Sequence, residues 1–102
     1  VYCLQVRIIS RKKLKEFWEH HPDARQALQA WHDDVKHAVW KRPEDIKHVY
    51  RNASLIANNR VVFNIKGNNY RLVTAIRYEH GIVFIRFVGT HQEYDRIDAT
   101  TV

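Results

Sequence analysis

Four cations, Lys66, Arg71, Arg77 and Arg86, recur among alternating apolar residues between Arg60 and Gly89. Cations gathered on one surface can hold a phosphate backbone, because binding releases the counterions that nucleic acid condenses. Just downstream, His91 and Tyr94 stand three residues apart, so on a helical turn they project together. An imidazole changes charge near neutral pH and can pass a proton to a reacting group. Glu93 and Asp95 are the neighbouring carboxylates, and acids so placed more often orient a histidine or arginine than do chemistry themselves. The other histidines, His20, His21, His32, His37, His48 and His80, match no ligand code such as HExxH. With Cys3 as the single cysteine, neither a zinc site nor an internal disulfide is expected, and no cofactor is implied.

What must position these groups is one small domain. A chain of 102 residues that is 45% hydrophobic supports one core, read as a single domain over 1–102. Its 17 Lys+Arg against 11 Asp+Glu leave a formal charge of +6, which suits a nucleic acid or an acidic protein as partner, although a basic surface also serves solubility alone. A lone cysteine fits a reducing cytoplasm, and no apolar run is long enough to read as a membrane span or a signal peptide. There is no methionine, so the N-terminal boundary is not read as the natural start.

Periodicity defines the elements. Val6–Ile9 reads as a strand, with Ser10 placed to cap a helix from Arg11 whose buried stripe is Leu14, Phe17, Trp18 and His21. Pro22-Asp23 restarts a second helix, with Ala24, Ala27, Leu28, Trp31, Val35, Ala38 and Val39 on one face. Pro43 opens a third, short helix with Ile46, Val49 and Tyr50 inward, and 52–59 reads as loop. Trp18, Trp31 and Trp40 are expected in core and hairpin contacts. From Arg60 the period becomes two, giving strands Arg60–Lys66, Asn69–Tyr78 and Ile82–Gly89 in an antiparallel meander. Helices ahead of a meander predict an α+β fold, with N-terminal helices on one face of a small antiparallel sheet and a C-terminal turn or helix.

Two-residue loops at Gly67-Asn68 and His80-Gly81 set Asn64 opposite Arg71, Arg77 opposite Phe84, Ala75 opposite Arg86 and Arg71 opposite Thr90. One face then collects Lys66, Arg71, Arg77 and Arg86, while Val61, Phe63, Ile65, Tyr70, Leu72, Ile76, Tyr78, Val83, Ile85 and Phe87 face the helices. Alternation alone accounts for any single outward arginine. The four together argue for a surface that grips phosphates. Val62, Val73, Ala75, Phe84 and Val88 remain on that cationic face and need a cover: the chain after Gly89, the first strand or a partner.

The strings Asn59-Arg-Val-Val-Phe-Asn-Ile-Lys-Gly-Asn-Asn-Tyr-Arg-Leu-Val and Phe87-Val-Gly-Thr-His-Gln-Glu-Tyr-Asp-Arg resemble the signature stretches of the HigB family of RelE-like toxins. The stretch from Lys15 through Ala24 and the region Trp31–Trp40 resemble that family's helices, and residues 1–5 read as an upstream extension or appended residues. The resemblance implies a RelE-like fold and the toxin of a toxin–antitoxin pair. It also implies a metal-independent endoribonuclease that cuts mRNA, often on the ribosome, and is neutralised by a HigA-like helix-turn-helix antitoxin. Operator DNA is reached only through that antitoxin. By the same resemblance His91, Arg71, Lys66 and Tyr94 are the candidate catalytic residues, while the cationic face makes Arg77, Arg86, Asn64 and Arg60 the candidate RNA contacts. The pattern departs at Asn64, where RelE carries a lysine, so a lysine base is missing there. The competing readings are a non-catalytic RNA- or ribosome-binding module, and a protein acting chiefly as corepressor with its antitoxin.

Overall fold

A computed structural model describes residues 7–67 and 69–102. The elements are β1 (Arg7–Ile9), α1 (Arg11–His20), a 3₁₀ turn (Pro22–Ala24), α2 (Arg25–Lys36), α3 (Pro43–Val49), β2 (Ser54–Ile56), β3 (Arg60–Ile65), β4 (Tyr70–Arg77), β5 (Ile82–Thr90) and α4 (His91–Tyr94). The first strand is expected to begin at Val6, which lies outside the described residues, as do the five residues before it.

The fold is α+β, as expected, but the sheet is larger than a three-stranded meander. Its order is β1-β5-β4-β3-β2, with β1 parallel to β5 and every other neighbouring pair antiparallel. The segment 52–59, expected as loop, supplies β2. Three residues with a half-exposed Leu55 carry no period-two signal, so their pairing with β3 rests on the turn between the two strands. There Asn58 and Asn59 both adopt left-handed backbone, at φ 62° and 57°, a conformation asparagine tolerates better than most residues.

The helices bury Leu14, Trp18, Leu28, Trp31, Val35 and Ile46 against Val61, Phe63, Ile65, Leu72, Ile76, Val83 and Ile85. Phe63 sits at the centre, with the rings of Trp31, Trp40 and Tyr50 at 5.3, 6.1 and 5.1 Å. The tryptophans are therefore core residues, as expected. Thr74 shares this buried face and satisfies its hydroxyl by donating to the Val61 carbonyl at 3.1 Å.

Four local expectations need correction. Helix α2 stops at Lys36, and Val39, expected inward, is 48% exposed. On α3 only Ile46 is fully buried, while Val49 is 68% exposed, because seven residues present a single inward turn. Ser10 precedes α1 in left-handed backbone, φ 73°, and its hydroxyl makes no cap; its carbonyl accepts the Lys13 N–H instead.

The fourth concerns register. The first hairpin pairs Asn64 with Arg71 and Val62 with Val73, as the turn chemistry predicts. The second departs from a two-residue loop: Arg77 pairs with Ile82, Ala75 with Phe84 and Arg71 with Gly89. Its turn takes up Tyr78 to Gly81, closed by His80 N–H to Arg77 O and Gly81 N–H to Tyr78 O. Further along β5 there is a bulge, since Thr74 pairs with Ile85 but Val73 with Phe87, leaving Arg86 as the extra residue. The bulge reverses the facing of Phe87 and Val88. Phe87, expected in the main core, packs with Val62 and Val73 on the opposite face, and Val88 takes its place against the core. Tyr94, Ile97, Ala99 and Val102 cover that opposite patch, so the chain after Gly89 is the cover the apolar residues require.

Candidate active site

At the Tyr70–Thr90 end of the sheet the backbone brings α4 against β4. Thr90 caps α4, its Oγ1 accepting the Glu93 N–H at 3.1 Å while the Glu93 carboxylate accepts the Thr90 N–H at 2.8 Å. The His91 N–H donates to the Asn69 carbonyl at 3.2 Å, which fixes the start of α4 two residues, about 7 Å, along the strand from Arg71. The Arg71 guanidinium lies 5.9 Å from the centre of the Tyr94 ring and donates to the Tyr70 carbonyl at 3.4 Å. His91 Nδ1 is 3.3 Å from Asp95 Oδ2, one helical turn on. Asp95 thus contacts the imidazole, and the Glu93 carboxylate is engaged in the cap of α4. The backbone therefore carries half-buried Arg71 and Tyr94 and exposed His91 at one end of the sheet, on β4 and α4.

Gly89 makes this close approach workable. A Cβ there would stand 2.5 Å from Phe87 Cζ and 3.0 Å from Glu93 Oε1, the oxygen that caps α4. Gly89→Ala is expected to cost about 1–3 kcal/mol through overpacking and to loosen α4. Urea unfolding, with amide exchange read at Glu93, measures both effects.

Lys66 is the exception. Alternation predicts it on the Arg71 face, but its backbone is left-handed, φ 52°, which takes the side chain out of the strand's alternation. Its ammonium lies 3.1 Å from Asp23 Oδ2, on the helical side of the sheet. The Tyr70 hydroxyl donates to the same carboxylate at 2.6 and 2.8 Å, and His21, stacked on Phe17 at 4.2 Å, meets the Tyr70 ring edge-on. Asp23, read from sequence only as a helix-start residue, is thus the clamp between the 3₁₀ turn and the β3–β4 turn. The hydrogen bond from Tyr70, and then the one from Lys66, hold its carboxyl below the ordinary range, while the same bond pushes the Tyr70 phenol up. A depressed folded value means the clamp stabilises above the unfolded aspartate value of about 3.9 and fades as pH falls through the folded one. The urea midpoint of Asp23→Asn is therefore expected below wild type at neutral pH, with the difference vanishing in acid. A pH-independent difference overturns the clamp.

The remaining candidates lie elsewhere. Asn64 is exposed beside Arg71, its cross-strand partner. Arg60, Arg77 and Arg86 line a separate cleft of about 330 Å³ with Asn58, Asn59, Ala75, Ile76, Glu79 and Phe84. Arg77 is six residues, roughly 20 Å, along β4 from Arg71. Between the two groups the C-terminal segment lies over Val62 and Val73. The single cationic face expected from alternation is thus divided in two.

Comparison with known proteins agrees with this architecture. Residues 24–97 match the family model described as HigB_toxin, RelE-like toxic component of a toxin-antitoxin system. Over 92 residues, 88% of each chain, the sequence is 32% identical to the mRNA interferase toxin HigB of Escherichia coli K12. A protein of Escherichia coli O157:H7 named mRNA interferase HigB matches with the same figures, and one from strain O6:H1 is 24% identical over 94 residues. The chain belongs to the HigB family of RelE-like toxins, the toxic components of toxin–antitoxin systems.

Proposed function

We propose that this toxin is an endoribonuclease that cleaves mRNA at the Arg71–His91 end of its sheet. The observation that carries the reading is the arrangement of half-buried Arg71, held over Tyr94, with exposed His91, in contact with Asp95, at one end of the sheet of a basic protein. The related proteins named mRNA interferases support the choice of substrate.

In this mechanism the substrate's 2′-hydroxyl loses its proton to water and its oxygen attacks the adjacent phosphorus as the bond to the 5′-oxygen breaks. The products are a 2′,3′-cyclic phosphate and a 5′-hydroxyl. Arg71 stabilises the charge that builds on the non-bridging oxygens. His91 gives a proton to the departing 5′-oxygen through Nε2, because Nδ1 faces Asp95. Tyr94 holds the guanidinium in place. Lys66 joins the site only when a phosphate draws it from Asp23. The reaction needs no metal ligand set from the protein. Its partners in this reading are mRNA on the ribosome and a HigA-like helix-turn-helix antitoxin, through which operator DNA is reached, and its place of action is the cytoplasm.

Mapping RNA ends after brief expression, with and without translation, tests this. New 3′ ends within messages are expected, and their dependence on translation reports whether the ribosome is required. Growth arrest with intact messages overturns the nuclease reading in favour of a binding module.

A further inference from the structure

The cleft at the other end of the sheet has a built character of its own. Asn58 and Asn59, in consecutive left-handed conformations, close the β2–β3 turn tightly, and the Ile76 N–H anchors it by donating to Asn59 O at 2.9 Å. Arg60 spends its guanidinium on the Asn58 and Val102 carbonyls, at 3.2 and 2.9 Å, so it forms wall more than ligand. Arg86, set out of the ladder by the bulge, is held by its Nε donating to Val102 O at 3.2 Å. Arg77 is exposed at the mouth, Phe84 is half-buried beside it, and Glu79 completes the rim.

We propose that this cleft is a second RNA subsite, taking one nucleotide with its phosphate on Arg77 and Arg86 and its base against Phe84. Three observations converge on that ligand. The volume of about 330 Å³ sits at the small end of ligand sites, so it admits one nucleotide and little more. An aromatic face beside guanidinium planes is what an unpaired base stacks on, and an acidic peptide has no use for it. The Asn59 amide and Glu79 offer donors and acceptors to base edges, while the Asn58 amide nitrogen donates to the Thr100 carbonyl at 2.9 Å and belongs to the wall. Because the C-terminal segment separates this cleft from Arg71, its occupant is either a distal part of the message being cut or a second RNA strand. The inference rests on the ribonuclease reading only for the choice of RNA as the class of ligand.

Binding of uncleavable 2′-O-methyl RNA tests it without requiring cleavage. Fluorescence anisotropy compares a dodecamer, long enough to span both ends of the sheet, with a tetramer, between 50 and 200 mM salt. Arg77→Ala is expected to weaken dodecamer binding about tenfold and to lower the salt slope by about one. Phe84→Leu is expected to weaken it about fivefold or more with the slope unchanged. Loss confined to the dodecamer marks occupation by the same strand, whereas equal loss with the tetramer marks a second strand. Both outcomes support the subsite. Wild-type affinity and slope in Arg77→Ala overturn it, even where message cleavage is intact. Retained RNA affinity with loss of antitoxin binding overturns it in favour of an acidic protein ligand. Messages left uncut by the wild type, with the expected loss in Arg77→Ala, remove the nuclease reading and leave the subsite standing.

Discussion

Arg71→Ala is expected to reduce RNA cleavage by about 10²- to 10³-fold, the consequence of losing some 2.7–4 kcal/mol of transition-state stabilisation. The size reflects what the guanidinium does. It meets charge that develops only as the phosphorane-like state forms, and its orientation over Tyr94 is set before substrate arrives. The side chain is only half-buried, so the fold is expected to change by no more than about 1 kcal/mol, the contacts with Tyr94 and the Tyr70 carbonyl being among those lost. Antitoxin binding is expected to persist. Arg71→Lys restores charge without the planar fork, so partial recovery is expected and full recovery is not. Initial rates on one labelled RNA, together with urea midpoints, separate the two effects. Cleavage at the wild-type rate in Arg71→Ala removes this residue from the site.

Much of this architecture is legible in the sequence because burial imposes period two on strands and period 3.6 on helices. Val61, Phe63, Ile65, Leu72, Ile76, Val83 and Ile85 can face only the helices, and the Gly67-Asn68 turn dictates the Asn64–Arg71 pairing. The illegible part depends on backbone states that side-chain type does not announce. Lys66 leaves the Arg71 face through one left-handed residue, and its destination, Asp23, lies 43 positions away in sequence. The bulge at Arg86 inverts Phe87 and Val88 although both are apolar and suit either face. β2 is too short to show a period. The first two departures each bear on function. The left-handed residue withdraws Lys66 to a clamp, and the bulge sets Phe87 beneath the C-terminal segment that separates the Arg71 end from the arginine cleft. The start of α4, by contrast, falls at the Arg71 end of the sheet although the strand register differs by one, because α4 begins where β5 ends in either alignment.

The role of His91 admits a sharper test than loss of activity. His91→Ala is expected to slow cleavage by about 10²- to 10⁴-fold, the usual contribution of a positioned acid or base. Such a loss alone does not tell proton donation from binding. The leaving group does. In an RNA whose scissile 5′-oxygen is replaced by sulfur, the departing thiolate has a conjugate-acid pKa of about 8.5 by analogy with cysteine and needs no proton to leave. If His91 protonates the leaving group, His91→Ala should cleave this substrate at close to the wild-type rate. Arg71→Ala should remain impaired on it, since charge still builds on the non-bridging oxygens. Asp95→Asn tests the orienting contact of 3.3 Å. Both side chains are about half exposed, so the pair is screened, and a loss of about fivefold at most is expected on the oxygen substrate. That loss too should disappear with sulfur, because a misdirected imidazole is harmless when no proton is required. Equal defects on both substrates in His91→Ala would place His91 in binding or support and leave the departing oxygen to another donor.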